Sequence, residues 1–196
     1  MIRFFDFTFS LFGLFLLFPL FILIGTWISI DSVGSIFYIQ WRVGKNNRDF
    51  RLIKFRSMQV DADKLGSLTV GYHDSRITRA GYFLRKYKLD EFPQLVNVLR
   101  GDMSLVGPRP DLRKYVDRYT DEEKIILSVK PGITDWASIE YINENEILGK
   151  SSDPERTYIE VILPAKIKLN KRYIENAGVQ EYFSILVKTL RKLTVK

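Results

Sequence analysis

Residues 7–30 read FTFSLFGLFLLFPLFILIGTWISI, twenty-four consecutive positions without a charged side chain. As a helix rising ~1.5 Å per residue, such a run is long enough to cross the ~30 Å hydrocarbon core of a bilayer. It sets the architecture: a membrane element joined to a soluble domain. A cleaved signal peptide fits poorly, because the run exceeds the usual apolar core of ~7–15 residues and no small-x-small site follows it. Arg42, Lys45, Arg48, Arg51, Lys54 and Arg56 come next, opposed nearby only by Asp49. By the positive-inside tendency this flank is cytoplasmic. Pro19, in the middle of the run, removes one helix hydrogen bond and crowds the preceding turn, which predicts a bend. Two arrangements follow from physics alone. One is a single kinked helix that spans the bilayer, since lipid-embedded helices tolerate proline when the freed carbonyl finds a partner. The other is re-entry, with Arg3 and the basic stretch after Asp31 on the same cytoplasmic side and Trp27 and Trp41 at the interface.

At 196 residues the chain accommodates one domain with a proper core plus this anchor. Cysteine is absent and His73 is the single histidine. That excludes disulfide scaffolds, thiol nucleophiles, thiolate zinc sites and multi-histidine metal sites. The remaining chemistry rests on carboxylates, Lys, Tyr, Ser and Thr. His73 sits in a polar, glycine-containing stretch read as a loop, where a lone histidine is ordinarily solvated. Thirty Lys+Arg against twenty-three Asp+Glu give a formal charge of +7, suited to phosphate-bearing partners such as nucleotides, nucleic acid or anionic lipid.

Downstream of the anchor, β-branched and aromatic residues alternate between Ser35 and Met58 around GKNN, which predicts a β-hairpin. A period of two places Lys54 and Arg56 on one face, facing either a site or anionic lipid headgroups. A short helix ending near Lys88 follows. Phe92, Leu95, Val96 and Leu99 then mark the apolar face of a second helix, stopped by Gly101 and begun near Asp90. At a helix start, Asp90 would cap free N–H groups and stay ionised, as a low-pKa carboxylate. Asp90 and Glu91 point about a hundred degrees apart on a helix, so they suit different tasks rather than a symmetric pair.

In DMSLVGPRPDL, Arg109 is held between two prolines that restrict the backbone on either side. Such a residue is either an exposed arginine in a rigid turn or a pre-ordered phosphate ligand. A Pro-Gly turn at 131–132 leads into a short extended or loop segment. The span from Pro154 to Asn176 is helical, with Tyr158, Val161, Ile162, Ala165, Leu169 and Tyr173 on one side. The last helix carries Tyr182, Phe183, Leu186, Val187, Leu190 and Leu193 opposite lysines and an arginine, a stripe that suits a membrane surface or the domain core equally.

Taken in order, the bent apolar helix, FRLIKFRSM, RITRAGYFLRKYKLDEFPQLVNVLRGDMSLVGPRP and VKPGITDWAS resemble the bacterial sugar transferases known as monotopic phosphoglycosyl transferases. The likeness covers nearly the whole chain. It implies an α+β, helix-rich fold: a re-entrant membrane helix broken at Pro19 (residues 1–34) and a cytosolic catalytic domain (residues 35–196) with a small hairpin and amphipathic surface helices. It also implies transfer of sugar-1-phosphate from a UDP-sugar to polyprenol (undecaprenyl) phosphate, with UMP released. In this family an aspartate attacks the β-phosphate and carries a covalent phosphosugar, giving ping-pong kinetics. Residue by residue, the catalytic pair corresponds to Asp90 and Glu91, Mg²⁺ lies beside Asp90, and Lys54, Arg85 and Arg109 match the family's phosphate-handling cations. The implied location is the cytoplasmic face of the bacterial inner membrane, at the first membrane step of glycan biosynthesis. Inner-membrane lipids and downstream glycosyltransferases are the implied partners.

Two departures stand out. Phe18 rather than serine precedes Pro19, and DWASIEYINENE replaces the family's frequent segment after PGIT. The alternative to an enzyme is a non-catalytic, membrane-tethered basic module that docks anionic lipid or an assembly partner. Nucleic-acid binding is disfavoured, because the basic residues are dispersed and no recognition helix or RNA motif is present.

Overall fold

The computed structural model describes residues 1–66, 68–71 and 74–194; His73 lies outside them. The chain opens with a 30-residue helix, α1 (Ile2–Asp31), long and apolar enough to cross a membrane. The helix runs through Pro19 without interruption, so the break expected there is not found, and Pro19 faces outward. Along the helix, Asp6, Ser10, Gly13, Leu14, Leu17, Leu20, Phe21, Ile24, Gly25, Ile28 and Asp31 are buried or half-buried. Their spacing of three and four keeps one stripe against the rest of the protein from end to end. The opposite stripe is bare: Phe12, Phe15, Phe18, Leu23 and Ile30 are 63–81 % exposed.

Both ends of α1 are tied to the same body. Near its start, Arg3 donates to the carbonyls of Val98 and Leu99, the latter at 2.8 Å. Asp6 Oδ1 accepts from Ser104 Oγ, Leu105 N and Tyr182 Oη, each at 2.9 Å. At its other end Asp31 accepts from Ala80 N at 3.0 Å, and Arg56 holds the carbonyls of Ser32 (2.8 Å) and Val33. Ile24 and Ile28 join Phe55 and Leu84 in a buried cluster, while Ile2 and Phe5 pack on Val106, Tyr173, Tyr182 and Ile185.

The predicted hairpin is present. β1 (Phe37–Val43) pairs antiparallel with β2 (Asp49–Phe55), Tyr38 opposite Lys54. Asn46 and Asn47, in the GKNN connection, take left-handed φ of 57° and 59°, which asparagine tolerates better than most residues. Helix α2 (Arg79–Lys86) is capped by Thr78, whose hydroxyl accepts from Gly81 N at 2.9 Å. A 3₁₀ turn, Leu89–Glu91, leads to α3 (Gln94–Arg100), which ends at Gly101 with φ 91°. Asn97 on α3 satisfies the free edge of β2, accepting from Ile53 N at 3.0 Å and donating to Arg51 O at 2.7 Å.

β3 (Ser104–Val106) then leads through the Pro-Arg-Pro segment to α4 (Arg113–Val116). β4 (Gly132–Thr134) returns to lie parallel to β3. Gly107 and Gly132 let these segments touch: a Cβ on Gly132 would sit 2.1 Å from Gly107 N. Helices α5 (Trp136–Glu140), α6 (Glu144–Gly149) and α7 (Pro154–Thr157) follow. A π-helical turn at Tyr158–Ile162 continues into α8 (Leu163–Glu175), and α9 (Val179–Thr194) closes the described chain. The π turn shifts the helix face relative to the sequence expectation. Ile162, Leu163, Ile167, Asn170 and Tyr173 are buried, whereas Val161 points outward at 61 % exposure. The core expectation for α9 holds for its first half, and the second half is exposed. Tyr182 and Ile185 enter the core, and Val187, Leu190 and Leu193 are exposed beside Lys188 and Lys192.

Candidate active site

The site forms where the hairpin, the turn after α2 and the Pro-Arg-Pro segment meet. Just past the end of α2, Lys88 takes a left-handed φ of 58° and turns the chain sharply into the 3₁₀ turn that carries both carboxylates. This corrects the expectation that Asp90 begins the next helix. Pro93 occupies the N-cap position of α3 with no side-chain cap bond. Asp90 lies one turn earlier and folds inward, to 5 % exposure. Its Oδ1 is buried without a hydrogen-bond partner among the described residues.

Glu91, its neighbour, is fully engaged. Arg109 donates through Nη1 to Glu91 Oε2 at 3.0 Å and through Nη2 to Oε1, the fork-on-carboxylate arrangement available to arginine and not to lysine. Lys54 Nζ stands 3.9 Å from Glu91 Oε1. Being opposite Tyr38 in the hairpin, Lys54 shares the face that also carries Gln40 and Arg42. Arg56 belongs elsewhere, on the carbonyls that follow α1. Both side chains are engaged by groups of the protein itself. Arg85 donates to Thr69 Oγ1 at 2.8 Å and acts on Asp90 through its charge.

These contacts make the pair electrostatically unequal. Burial pushes the Asp90 carboxyl up and the Glu91 charge adds to it; Lys54, Arg85 and Lys88 oppose both without reversing the direction. Asp90 is therefore the more basic carboxylate, contrary to the low-pKa expectation. Burial also pushes Glu91 up, but Arg109 and Lys54 outweigh that and hold it well below the usual carboxylate range. Burial pushes Lys54 down to about 8, with Glu91 partly restoring it. Glu91 in turn raises Arg109, which stays charged.

Sequence reasoning missed the residues that aim Arg109. Flanked by two prolines, Arg109 has the one backbone N–H of that tripeptide, and it donates to Asp135 Oδ2 at 3.2 Å. Asp135 is fully buried and its Oδ1 caps α5 through Ser138 N at 2.6 Å. The signal available was an aspartate three residues before a serine at a helix start. Asp111 is a second brace. It accepts from Tyr158 Oη at 2.7 Å, lies 3.7 Å from Arg42 Nη1, and its carbonyl takes Val43 N at 3.0 Å. Arg42 also donates to Pro110 O at 3.2 Å. The hairpin, the Pro-Arg-Pro segment and the π turn are thereby locked together around Arg109.

Among the described residues no three acidic or histidine side chains converge on one point. Because Glu91 is committed to its cations, the Asp90 carboxylate is the acidic group of the turn left to a hard cation. Such a donor set, one carboxylate completed by phosphate oxygens and water, is what Mg²⁺ favours. A free buried carboxylate ringed by cations can also approach a phosphorus atom whose oxygens those cations neutralise.

The profile of one family, bacterial sugar transferase, matches residues 1–196. Among similar proteins, the UDP-N-acetylgalactosamine-undecaprenyl-phosphate N-acetylgalactosaminephosphotransferase of Aeromonas hydrophila is 38 % identical over 178 residues, covering 89 % of this chain and 39 % of that protein. The undecaprenyl-phosphate glucose phosphotransferase of Komagataeibacter xylinus is 42 % identical over 148 residues, 70 % of this chain and 27 % of that one. The UDP-glucose:undecaprenyl-phosphate glucose-1-phosphate transferase of Xanthomonas campestris pv. campestris is 43 % identical over 130 residues, 63 % and 26 % of the two chains. The present chain thus spans roughly a quarter to two fifths of the length of these relatives.

Proposed function

The chain belongs to the bacterial sugar transferase family, and from that premise we propose that it transfers sugar-1-phosphate from a UDP-sugar to undecaprenyl or another polyprenol phosphate. The observation that carries this reading is the buried, unpartnered Asp90 beside a Glu91 pinned by Arg109 and Lys54. The names of the three relatives, all transferring sugar phosphate to an undecaprenyl carrier, agree with it.

In the first half-reaction an Asp90 oxygen attacks the phosphorus that bears the sugar. The bond from that phosphorus to the bridging oxygen breaks, and UMP leaves with the electron pair. In the second, an oxygen of the polyprenol phosphate attacks the same phosphorus and the bond to Asp90 breaks, restoring the carboxylate and yielding polyprenol diphosphate sugar. Both attacking groups are oxyanions, so Glu91 is not needed as a base. Its task is to hold Arg109 and Lys54 where phosphate oxygens arrive and to raise the basicity of Asp90. Mg²⁺, held by Asp90, would supply further charge neutralisation on the diphosphate.

The same reading places residues 1–34 as a helix embedded in one leaflet and residues 35–196 at the cytoplasmic face of the inner membrane. Support comes from α1 itself. A helix docked at both ends, through Arg3 and Asp6 and through Asp31, on one charged body cannot cross a bilayer unless that body enters it too. The bare apolar stripe, from Phe12 to Ile30, is what remains for lipid. The decisive experiment incubates detergent-solubilised protein with Mg²⁺ and a panel of UDP-sugars labelled in the sugar phosphate, without acceptor. UMP release with stoichiometric labelling of the protein is the expected result; no UMP and no label with any donor, in a folded sample, overturns the reading.

A further inference from the structure

Arg109 also lines a cavity of ≈ 140 Å³ enclosed by the Pro110–Leu112 stretch, α5 and α8. A cavity of about 150 Å³ admits a molecule the size of benzene, so this one takes part of a hydroxyl-bearing six-membered ring and nothing larger. Its charged walls balance: Arg42, Arg109 and Lys166 stand against Asp111, Asp135 and Glu144. They are already committed, Arg42 to Asp111, Lys166 to Glu144, and the Arg109 N–H to Asp135. Arg42 and Lys166 are paired within the wall and the Arg109 guanidinium is turned to Glu91, so the ring that fits this cavity is neutral.

Three wall residues carry atoms that ask for hydrogen bonds. Asn170, 6 % exposed, has its Oδ1 buried without a partner, and so do Ser138 Oγ and Tyr115 Oη, among the described residues. A buried polar atom left unpaired is destabilising, and a partner from outside the chain removes the penalty. An amide oxygen needs a donor, and a serine hydroxyl either donates or accepts. Sugar hydroxyls meet both demands. A flat nucleobase is the poorer match, because the Tyr115 and Tyr158 rings lie against one another at 4.8 Å and 53° rather than leaving a parallel slot. Position agrees: Arg109 joins the cavity to Glu91 beside Asp90, and the sugar is the ring bonded directly to the phosphorus that Asp90 attacks.

We propose that this cavity receives the sugar ring of the donor, with Asn170 and Ser138 as residues that discriminate among its hydroxyl configurations. The inference rests on the transfer reaction proposed above. Its test uses the full chain in detergent with UDP-glucose, UDP-galactose, UDP-N-acetylglucosamine and UDP-N-acetylgalactosamine. Two readouts are taken, saturation-transfer NMR of donor binding and kcat/KM for UMP release, on wild type, Asn170→Ala and the near-isosteric Ser138→Ala.

Loss of one such hydrogen bond is expected to change the kcat/KM ratio between best and worst donors by about tenfold. Saturation of sugar protons should fall relative to uracil H6, with inhibition by UMP unchanged. Equal losses for all four donors with weakened UMP inhibition would assign the cavity to the base and overturn the proposal. An unchanged ratio and unchanged NMR pattern in both variants would leave it to water. If wild type binds donors but releases no UMP, the transfer reading fails while the NMR comparison still judges the cavity. If wild type binds no donor, both fail.

Discussion

Asp6 and Asp90 are the same residue type at nearly the same burial, 2 % and 5 % exposed, and they stand in opposite conditions. Asp6, on the apolar helix, receives three hydrogen bonds, from Ser104, Leu105 and Tyr182. Asp90, in the 3₁₀ turn, keeps one oxygen bare. The first carboxylate is spent on holding two helices and a strand together; the second is held ready by charges that do not bond it. Burial alone does not distinguish the two carboxylates; their hydrogen bonding does, and it is the difference on which the proposed role of Asp90 rests.

The comparison is broken most directly by exchanging the carboxylate for its amide. Asp90→Asn is expected to lower UMP release on the order of 10⁴-fold and to abolish covalent labelling while leaving thermal unfolding nearly unchanged. Full turnover in that variant would remove Asp90 as the nucleophile. Arg109→Ala leaves Glu91 with Lys54 alone and takes a fixed cation from the arriving phosphate; a loss of about 10²–10³-fold in kcat is expected, measured by the same assay. Asp6→Ala should do the reverse of Asp90→Asn. It strands the Ser104 and Tyr182 hydroxyls and the Leu105 N–H, for a loss of about 2–4 kcal/mol in stability, read by chemical denaturation in detergent, with the folded fraction still labelling.

The smallest effect is a pH dependence. Lys54 in the folded protein is pushed down to about 8, so it is charged below that value and loses its proton as pH rises through it. kcat/KM, which reports the free enzyme, should therefore fall about tenfold per pH unit on the alkaline side of 8. Lys54→Arg should move that limb upward, since an arginine stays protonated throughout. A profile flat to pH 10 in wild type would show that this cation is not required.

The sequence made the hairpin and the long helix legible because both are local. Alternation across residues 37–55 and an uncharged run need no knowledge of distant partners. The Asp90–Glu91 pair was legible through its motif, yet its conformation was misread. A carboxylate before an apolar period of three and four reads as a helix cap, and what intervenes is the left-handed Lys88 together with Pro93, which delays the helix to Gln94. The braces of Arg109 come from 26 residues onward at Asp135 and from Tyr158 through Asp111. Contacts at such separation leave no trace in local pattern. The π turn at Tyr158–Ile162 inserts its extra residue without any glycine or proline inside it, so the change of face that buries Asn170 could not be read from periodicity.

Under the proposed transfer reaction, latching α1 at both ends has a consequence for how the site meets a lipid-borne acceptor. A catalytic domain on a flexible leash samples many heights above a membrane, and its reaction with a lipid depends on how often the right height recurs. In that reading the helix is a fixed floor, joined to the turn that carries Asp90 through Leu84 and Leu89. An acceptor confined to the lipid phase then reaches the site by lateral search at one constant depth, and its chain length below that depth has little bearing on the encounter.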